Sequence, residues 1–200
     1  MRPYDQIADW YALARDPEAG LDDLAAFACP LPAGAAVLDL GCGNGVPVSR
    51  FLLQQGFAVT GLDSSPAMLA RYRTHFPAVP ARCERAQDAR FEPETFDAVV
   101  AWGVLFHLSE TEQAAVIGKV ARWLRPGGRF VFTSGEAKGV TESKMDGVTF
   151  GYTSLGRDAY RRLAEASGMR WVRDYTNAWD NHVYAVQKRP LQNELLRLAT

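Results

Sequence analysis

From residue 36 onward, short apolar runs alternate with stretches of helical length. The runs are "AVLDLG" (36–41), "FAVTGLD" (57–63), "FDAVVAWG" (96–103) and "RFVFTSG" (129–135). Each reads as a buried strand bounded by turn residues or charge. Between the first two lies "VPVSRFLLQQG", with Pro47 suited to a first helical turn and Gly56 to the end. The result is a βαβ unit. "SETEQAAVIGKVARWLRPGG" opens with Ser109 and Glu112 at capping-box spacing. It continues with a stripe of Val116, Ile117, Val120 and Leu124, and stops at Arg125-Pro126-Gly127-Gly128. Gly118 inside it costs about 1 kcal/mol relative to Ala.

Beyond these runs, residues 135–153 hold four glycines among mixed charges and read as a long loop or flap. "RDAYRRLAEASG" predicts a helix with Tyr160, Leu163, Ala164 and Ser167 on one side, stopped by Gly168. "MRWVRDYT" and "HVYAVQK" predict two closing strands, a hairpin at the sheet edge. "PLQNELLRLAT" (190–200) predicts an amphipathic tail helix through Leu191, Leu195, Leu196 and Leu198. Strands alternating with helices imply an open parallel sheet with helices on both faces. Ligands bind such sheets outside the carboxyl ends of the strands, where the strand order reverses.

At 200 residues, the chain suits a single domain. Its 22 Lys and Arg nearly balance 23 Asp and Glu, so no broad positive field favours nucleic acid. The first residues lack the apolar core of a signal peptide, and no run approaches the roughly 18 apolar residues of a membrane helix. The expected location is cytoplasmic. Cys29, Cys42 and Cys83 form no CxxC pair, which suggests neither a disulfide framework nor a metal site.

Candidate chemistry gathers at "VLDLGCGNG" (37–45), where a strand ends in an aspartate and three glycines. Glycine at such a turn permits positive φ or the close approach of a ligand. A dinucleotide would need GxGxxG, but the third glycine falls on Val46 in one register and on Val48 in the other. Asp39 near the turn is awkward for phosphates and welcome to a cation. Asp63 ends the next strand 22 residues after Gly41, close to the spacing of the acidic residue that holds ribose hydroxyls. The turn therefore favours a positively charged nucleoside cofactor without phosphates.

With "GLDSSPAMLA", "AQDARFEPETFDAVVAWGVLFHL" and "LRPGGRFVFTSG" following in order, the sequence resembles the class I S-adenosylmethionine-dependent methyltransferases. The likeness is strongest over about residues 35–135 and is closest to the small-molecule group described as methyltransferase domain 11 or 25. It implies an α/β, Rossmann-like three-layer sandwich, with a seven-stranded mostly parallel sheet and an antiparallel last strand. It also implies one methyltransferase-type domain over 1–200. Its parts would be an N-terminal helical cap (1–30), a cofactor-binding core (35–135), the flap (135–153), a C-terminal helix and closing strands (154–188), and a tail (189–200).

The cofactor so implied is S-adenosyl-L-methionine, leaving as S-adenosyl-L-homocysteine, with no metal. By the resemblance, Asp39, Gly41 and Gly43 surround its methionine portion and Asp63 takes the ribose hydroxyls. Ser64 and Met68 flank the adenine, and Gln87 and Asp88 meet its amino group. Ala101 and Trp102 line the sulfonium, and Tyr4 and Tyr11 close over the amino-acid end. His107, after the fourth strand, is a candidate base, and Tyr152 and Ser154 are candidate substrate contacts. His75 reads as a surface or capping residue and His182 as part of a solvated turn. Cys42 reads as a small buried side chain.

Trp102, Phe106, Phe150 and Tyr152 suggest a small, partly apolar methyl acceptor, with neither nucleic acid nor membrane as partner, though the same residues suit a core. Three other readings stay open: a nucleic-acid or protein methyltransferase, a cofactor-binding protein without catalysis, and an NAD-dependent oxidoreductase, which the broken glycine motif disfavours.

Overall fold

A computed structural model describes residues 2–190, so the tail helix expected at 190–200 lies, but for its first residue, outside the described residues. A seven-stranded sheet dominates. It comprises β1 (Ala36–Leu40), β2 (Ala58–Asp63), β3 (Ala81–Cys83), β4 (Phe96–Ala101), β5 (Leu124–Ser134), β8 (Met169–Thr176) and β9 (His182–Lys188), in the order β3-β2-β1-β4-β5-β9-β8. Pairing is parallel from β3 to β5, and β9 is antiparallel to both neighbours. The expected architecture is present. Its closing hairpin differs in one respect: only β8 is at the edge, and β9 is paired on both sides.

Strand β3 was not among the runs read from the sequence. Its three residues, Ala-Arg-Cys, carry too little apolar periodicity to register, and their place in the sheet comes from pairing with Gly61–Asp63 of β2. Helix α6 (Glu110–Trp123) carries the full capping box at Ser109 and Glu112. It ends before Leu124, which is already extended and belongs to β5, two residues ahead of Pro126.

Residues 138–155 correct the expectation of a loop. They form a separate two-stranded hairpin, β6 (Lys138–Met145) with β7 (Val148–Leu155), closed by Asp146-Gly147 with φ of 47° and 77°. Asp-Gly in a turn with both φ values positive is the favoured two-residue hairpin loop, and the flanking residues alternate as strands do.

Alternation along β1 sets the two faces of the sheet. Leu38 and Leu40 join a core with Trp123, Phe130, Phe132 and Tyr160. Val37 joins the opposite core with Phe27, Leu52, Val100 and Val131. Asp39 falls on the second face, fully buried, at the last step before the turn. Because β2 and β3 extend to one side of β1 and β4 and β5 to the other, the order reverses between β1 and β4. The carboxyl ends of these two strands flank the cavity described next.

Candidate functional site

The glycine turn after β1 takes its shape from the protein's own packing. Gly41 has φ of 79°, and a Cβ there would sit 2.6 Å from Cβ of Val104. Both facts demand glycine whether or not a ligand is bound. Its N–H and that of Cys42 bond the carbonyl of Leu62, at 2.7 and 3.0 Å, tying the turn to the end of β2.

Two aspartates face the cavity from adjacent strands. Asp39 accepts a hydrogen bond from Ser49 Oγ (2.6 Å) on α4 (Val48–Gln54), and that hydroxyl is also 3.0 Å from the phenol of Tyr72. Burial pushes the Asp39 carboxyl up to about 7, the charge of Asp63 adds to the rise, and the Ser49 bond opposes it. Asp63 accepts N–H bonds from Gly43 (2.8 Å) and from Ser65 (2.7 Å). Burial raises its carboxyl despite them. Among the described residues, neither aspartate forms a salt bridge.

A third group completes the charge pattern. Arg15, just past helix α2 (Ala8–Ala14), lines the same cavity, and its buried Nε has no hydrogen-bond partner. The site thus holds two aspartates without a salt-bridge partner, the second within reach of the Arg2 charge, and a half-buried Arg15 whose Nε has no acceptor. Groups left in this state are costly unless a ligand completes them. A molecule with an ammonium, a carboxylate and a vicinal diol matches this donor set. Arg15 was not among the site residues expected from the sequence; it follows Tyr11 by four residues, and its N–H bonds the Tyr11 carbonyl, which keeps the two side by side at the cavity.

The cavity, about 760 Å³, is lined by Tyr11, Asp39, Gly41, Gly43, Asp63 and Ser64, and also by Met68, Gln87, Trp102 and His107. Gln87 donates its side-chain amide to Glu112 (2.8 Å). Trp102 belongs to the core as well as to the cavity; its ring closes against Gly20, where a Cβ would come within 2.6 Å. Several expected residues fall outside the lining. Asp88 is exposed, 3.9 Å from the Arg85 guanidinium. Ala101 is fully buried in the core below the strand end. Tyr152 packs beside His107, with ring centroids 5.1 Å apart, and is bonded to Ser143. Ser154 donates to the carbonyl of Gly135 (2.7 Å) and also lies outside the lining.

Each histidine has a defined partner. His107 sits in a short 3-10 turn (Leu105–His107), with Nδ1 3.1 Å from the Gly151 carbonyl and Nε2 2.9 Å from the Tyr4 hydroxyl. A carbonyl only accepts, so Nδ1 carries the proton and Nε2 accepts from Tyr4. Burial lowers the pKa of His107 and raises that of the Tyr4 phenol well beyond its usual range. Of the aromatic residues expected around the acceptor, Phe150 and Trp102 line the cavity, whereas Phe106 and Tyr152 pack around His107 outside it. His75 bonds the Asn44 carbonyl (3.0 Å) and so pins the glycine turn. His182 departs from the expected solvated turn. It is buried at the start of β9 between Asp174 (3.1 Å) and Thr176 (3.0 Å), because Asp174 gives its ring a polar partner inside the sheet edge. Cys42 is buried, which raises its thiol pKa well above the usual value and leaves it unreactive at neutral pH.

A family model described as a methyltransferase domain matches residues 37–128. The ubiquinone biosynthesis O-methyltransferase of Xylella fastidiosa (strain 9a5c) is 38% identical over 106 residues, half of this chain and 42% of that one. The chain spans less than half the length of the curated relatives it matches first. Among solved structures, the CcbJ methyltransferase of Streptomyces caelestis superposes with a TM-score of 0.78 at 20% identity, covering 94% of this chain and 98% of that one. CalS10, an amino pentose methyltransferase of Micromonospora echinaspora solved with S-adenosylmethionine, gives 0.72 at 19% identity, covering 94% and 97%. At these identities the structures show a shared fold, and the sequence match adds the motifs around the cavity. Residues 37–128 thus match a methyltransferase domain, and the chain shares the fold of the S-adenosylmethionine-dependent methyltransferases it is similar to.

Proposed function

We propose that the protein transfers a methyl group from S-adenosyl-L-methionine to a small-molecule acceptor by in-line displacement. The observation that carries this reading is the presence in one cavity of two aspartates without a salt-bridge partner and the orphaned Nε of Arg15. Asp39 would hold the ammonium and Arg15 the carboxylate of the methionine portion. Asp63 keeps lone pairs free beyond its two N–H bonds and would take the ribose hydroxyls. Met68 and Gln87 would border the adenine. The single-domain organisation over 1–200 belongs to the same proposal.

When bound, the cofactor supplies a methyl carbon already activated by the adjacent sulfonium. What remains for the chain is alignment, exclusion of water and, for a protonated acceptor, removal of a proton. Tyr4, Tyr11 and Phe150 enclose the cavity mouth; the two tyrosine rings meet edge-on at 5.5 Å, and Tyr4 and Phe150 lie 4.8 Å apart. His107 is the base in this reading. Nδ1 keeps its proton, donated to the Gly151 carbonyl, and once the acceptor replaces the Tyr4 hydroxyl at Nε2 that nitrogen would take the acceptor's proton, as the acceptor lone pair bonds the methyl carbon and the carbon–sulfur bond breaks to leave a neutral thioether. The acceptor class rests on the similarity to ubiquinone O-methyltransferases and on the apolar walls at Phe150 and Trp102.

The direct test is thermal unfolding with S-adenosylmethionine, S-adenosylhomocysteine and NAD. A ligand at 100 times its Kd adds about 2.7 kcal/mol. A rise with the two adenosyl ligands that vanishes in Asp63→Ala supports the proposal. A rise with NAD alone, or none, overturns it.

A further inference from the structure

The outer strand of the hairpin, β6, presents a complete edge. From Lys138 to Lys144 every residue is exposed, and among the described residues only β7 pairs with it. The two-residue turn at Asp146-Gly147 makes Met145 and Val148 its closing hydrogen-bonded pair. Antiparallel alternation then directs the backbone groups of Met145, Ser143, Thr141 and Gly139 toward β7. Those of Lys144, Glu142, Val140 and Lys138 face outward. This outward set alternates in charge around an apolar centre, and Val140 is 75% exposed.

We propose that this edge docks on a second copy of the chain, β6 against β6, antiparallel about a two-fold axis at Val140. The two hairpins would join in one four-stranded sheet. In that register Val140 meets the partner's Val140, Lys138 meets the partner's Glu142, and Lys144 reaches the partner's Glu136. By symmetry each charge pair occurs twice. The neighbouring registers that keep outward groups opposed are both repulsive. Centring on Thr141 sets Lys138 against the partner's Lys144, and centring on Gly139 sets Glu142 against the partner's Glu136. A one-residue slip opposes outward groups to inward ones and loses the ladder. Charges on an edge ordinarily prevent pairing. Here their alternation forbids every register but one.

Two further observations fit. The other strand, β7, contributes Thr149, Phe150, Gly151 and Thr153 to the cavity wall, so pairing at β6 braces that wall. The existing Lys138–Glu110 pair at 3.1 Å is exposed on both sides and offers little resistance to exchange.

Sedimentation of the full chain over a wide concentration range tests the proposal. The wild type dimerises with rising concentration. Glu142→Lys, which sets like charges at two symmetric positions, weakens the dimer by about tenfold or more. Lys138→Glu combined with Glu142→Lys restores it. Val140→Pro removes an outward N–H and abolishes the dimer without breaking a bond to β7. A wild type that stays monomeric throughout, a dimer indifferent to these changes, or a double variant as weak as Glu142→Lys overturns the proposal. Circular dichroism of each variant separates lost pairing from lost folding.

Discussion

The Tyr4 hydroxyl donates to Nε2 of His107 across 2.9 Å, joining the N-terminal helix α1 (Pro3–Gln6) to the turn after β4 and, through Gly151, to the hairpin. The bond favours the neutral imidazole, so it acts in the same direction as burial, which already lowers the His107 pKa. Tyr4→Phe removes the donor. The His107 pKa then rises toward its ordinary value, and the acidic limb of kcat/KM moves to higher pH by about half a unit to one unit. His107→Gln removes the limb and most of the activity toward an acceptor that carries a proton. A pH profile unchanged in Tyr4→Phe would show that His107 is not the titrating base.

Asp39 is a site where function works against stability. Its carboxyl is raised to about 7 in the folded state, above its unfolded value, so the folded form binds more protons between those two values. Stability without ligand therefore falls as pH rises through that window, and the buried charge is a full cost above it. Asp39→Asn keeps an oxygen for the Ser49 hydroxyl and removes the charge. Without ligand it melts higher than the wild type at pH 8, by on the order of 1 to 3 kcal/mol, and the gap narrows toward pH 5. With S-adenosylmethionine the order reverses, because the wild type gains its cation and the variant does not. Melting curves at both pH values, with and without ligand, check both halves.

Arg15 explains why part of the site was not legible in the sequence. Asp39 and Asp63 end apolar strands at recognisable spacing, so local pattern alone finds them. Arg15 follows a helix that packs over the cavity from another part of the chain, and its role emerges only when Nε is seen to lack a partner. Asp88 is the converse case: its motif is local, but the chain turns its side chain outward to Arg85. The hairpin carried a legible signal in Asp146-Gly147 between alternating residues, hidden by the glycines and mixed charges around it. Strand β3 carried none, since three residues gain their conformation from β2 rather than from their own periodicity.

If Arg15 takes a carboxylate, its loss discriminates among ligands. Arg15→Met weakens S-adenosylmethionine and S-adenosylhomocysteine by about tenfold to a hundredfold, the worth of a charge-assisted hydrogen bond in a buried site. Adenosine, which lacks the amino-acid portion, is affected little. Titration calorimetry with the three ligands reads the contrast. Equal losses for all three would assign Arg15 to holding α2 in place rather than to the ligand.

The turn at Gly41 makes the last prediction. A Cβ there meets Val104 Cβ and Cγ2 at 2.6 Å each, and the backbone is already at φ of 79°. Gly41→Ala therefore adds about 1 to 2 kcal/mol for the left-handed backbone and a steric cost of similar size. Trimming the neighbour does not relieve it, because Val104→Ala leaves the offending Cβ in place; the double variant stays as unstable as the single one or becomes less stable. Chemical denaturation of the ligand-free protein measures this with no cofactor present. A substantial loss there assigns the glycine to the fold, whereas a loss confined to ligand affinity would assign it to the approach of the ligand.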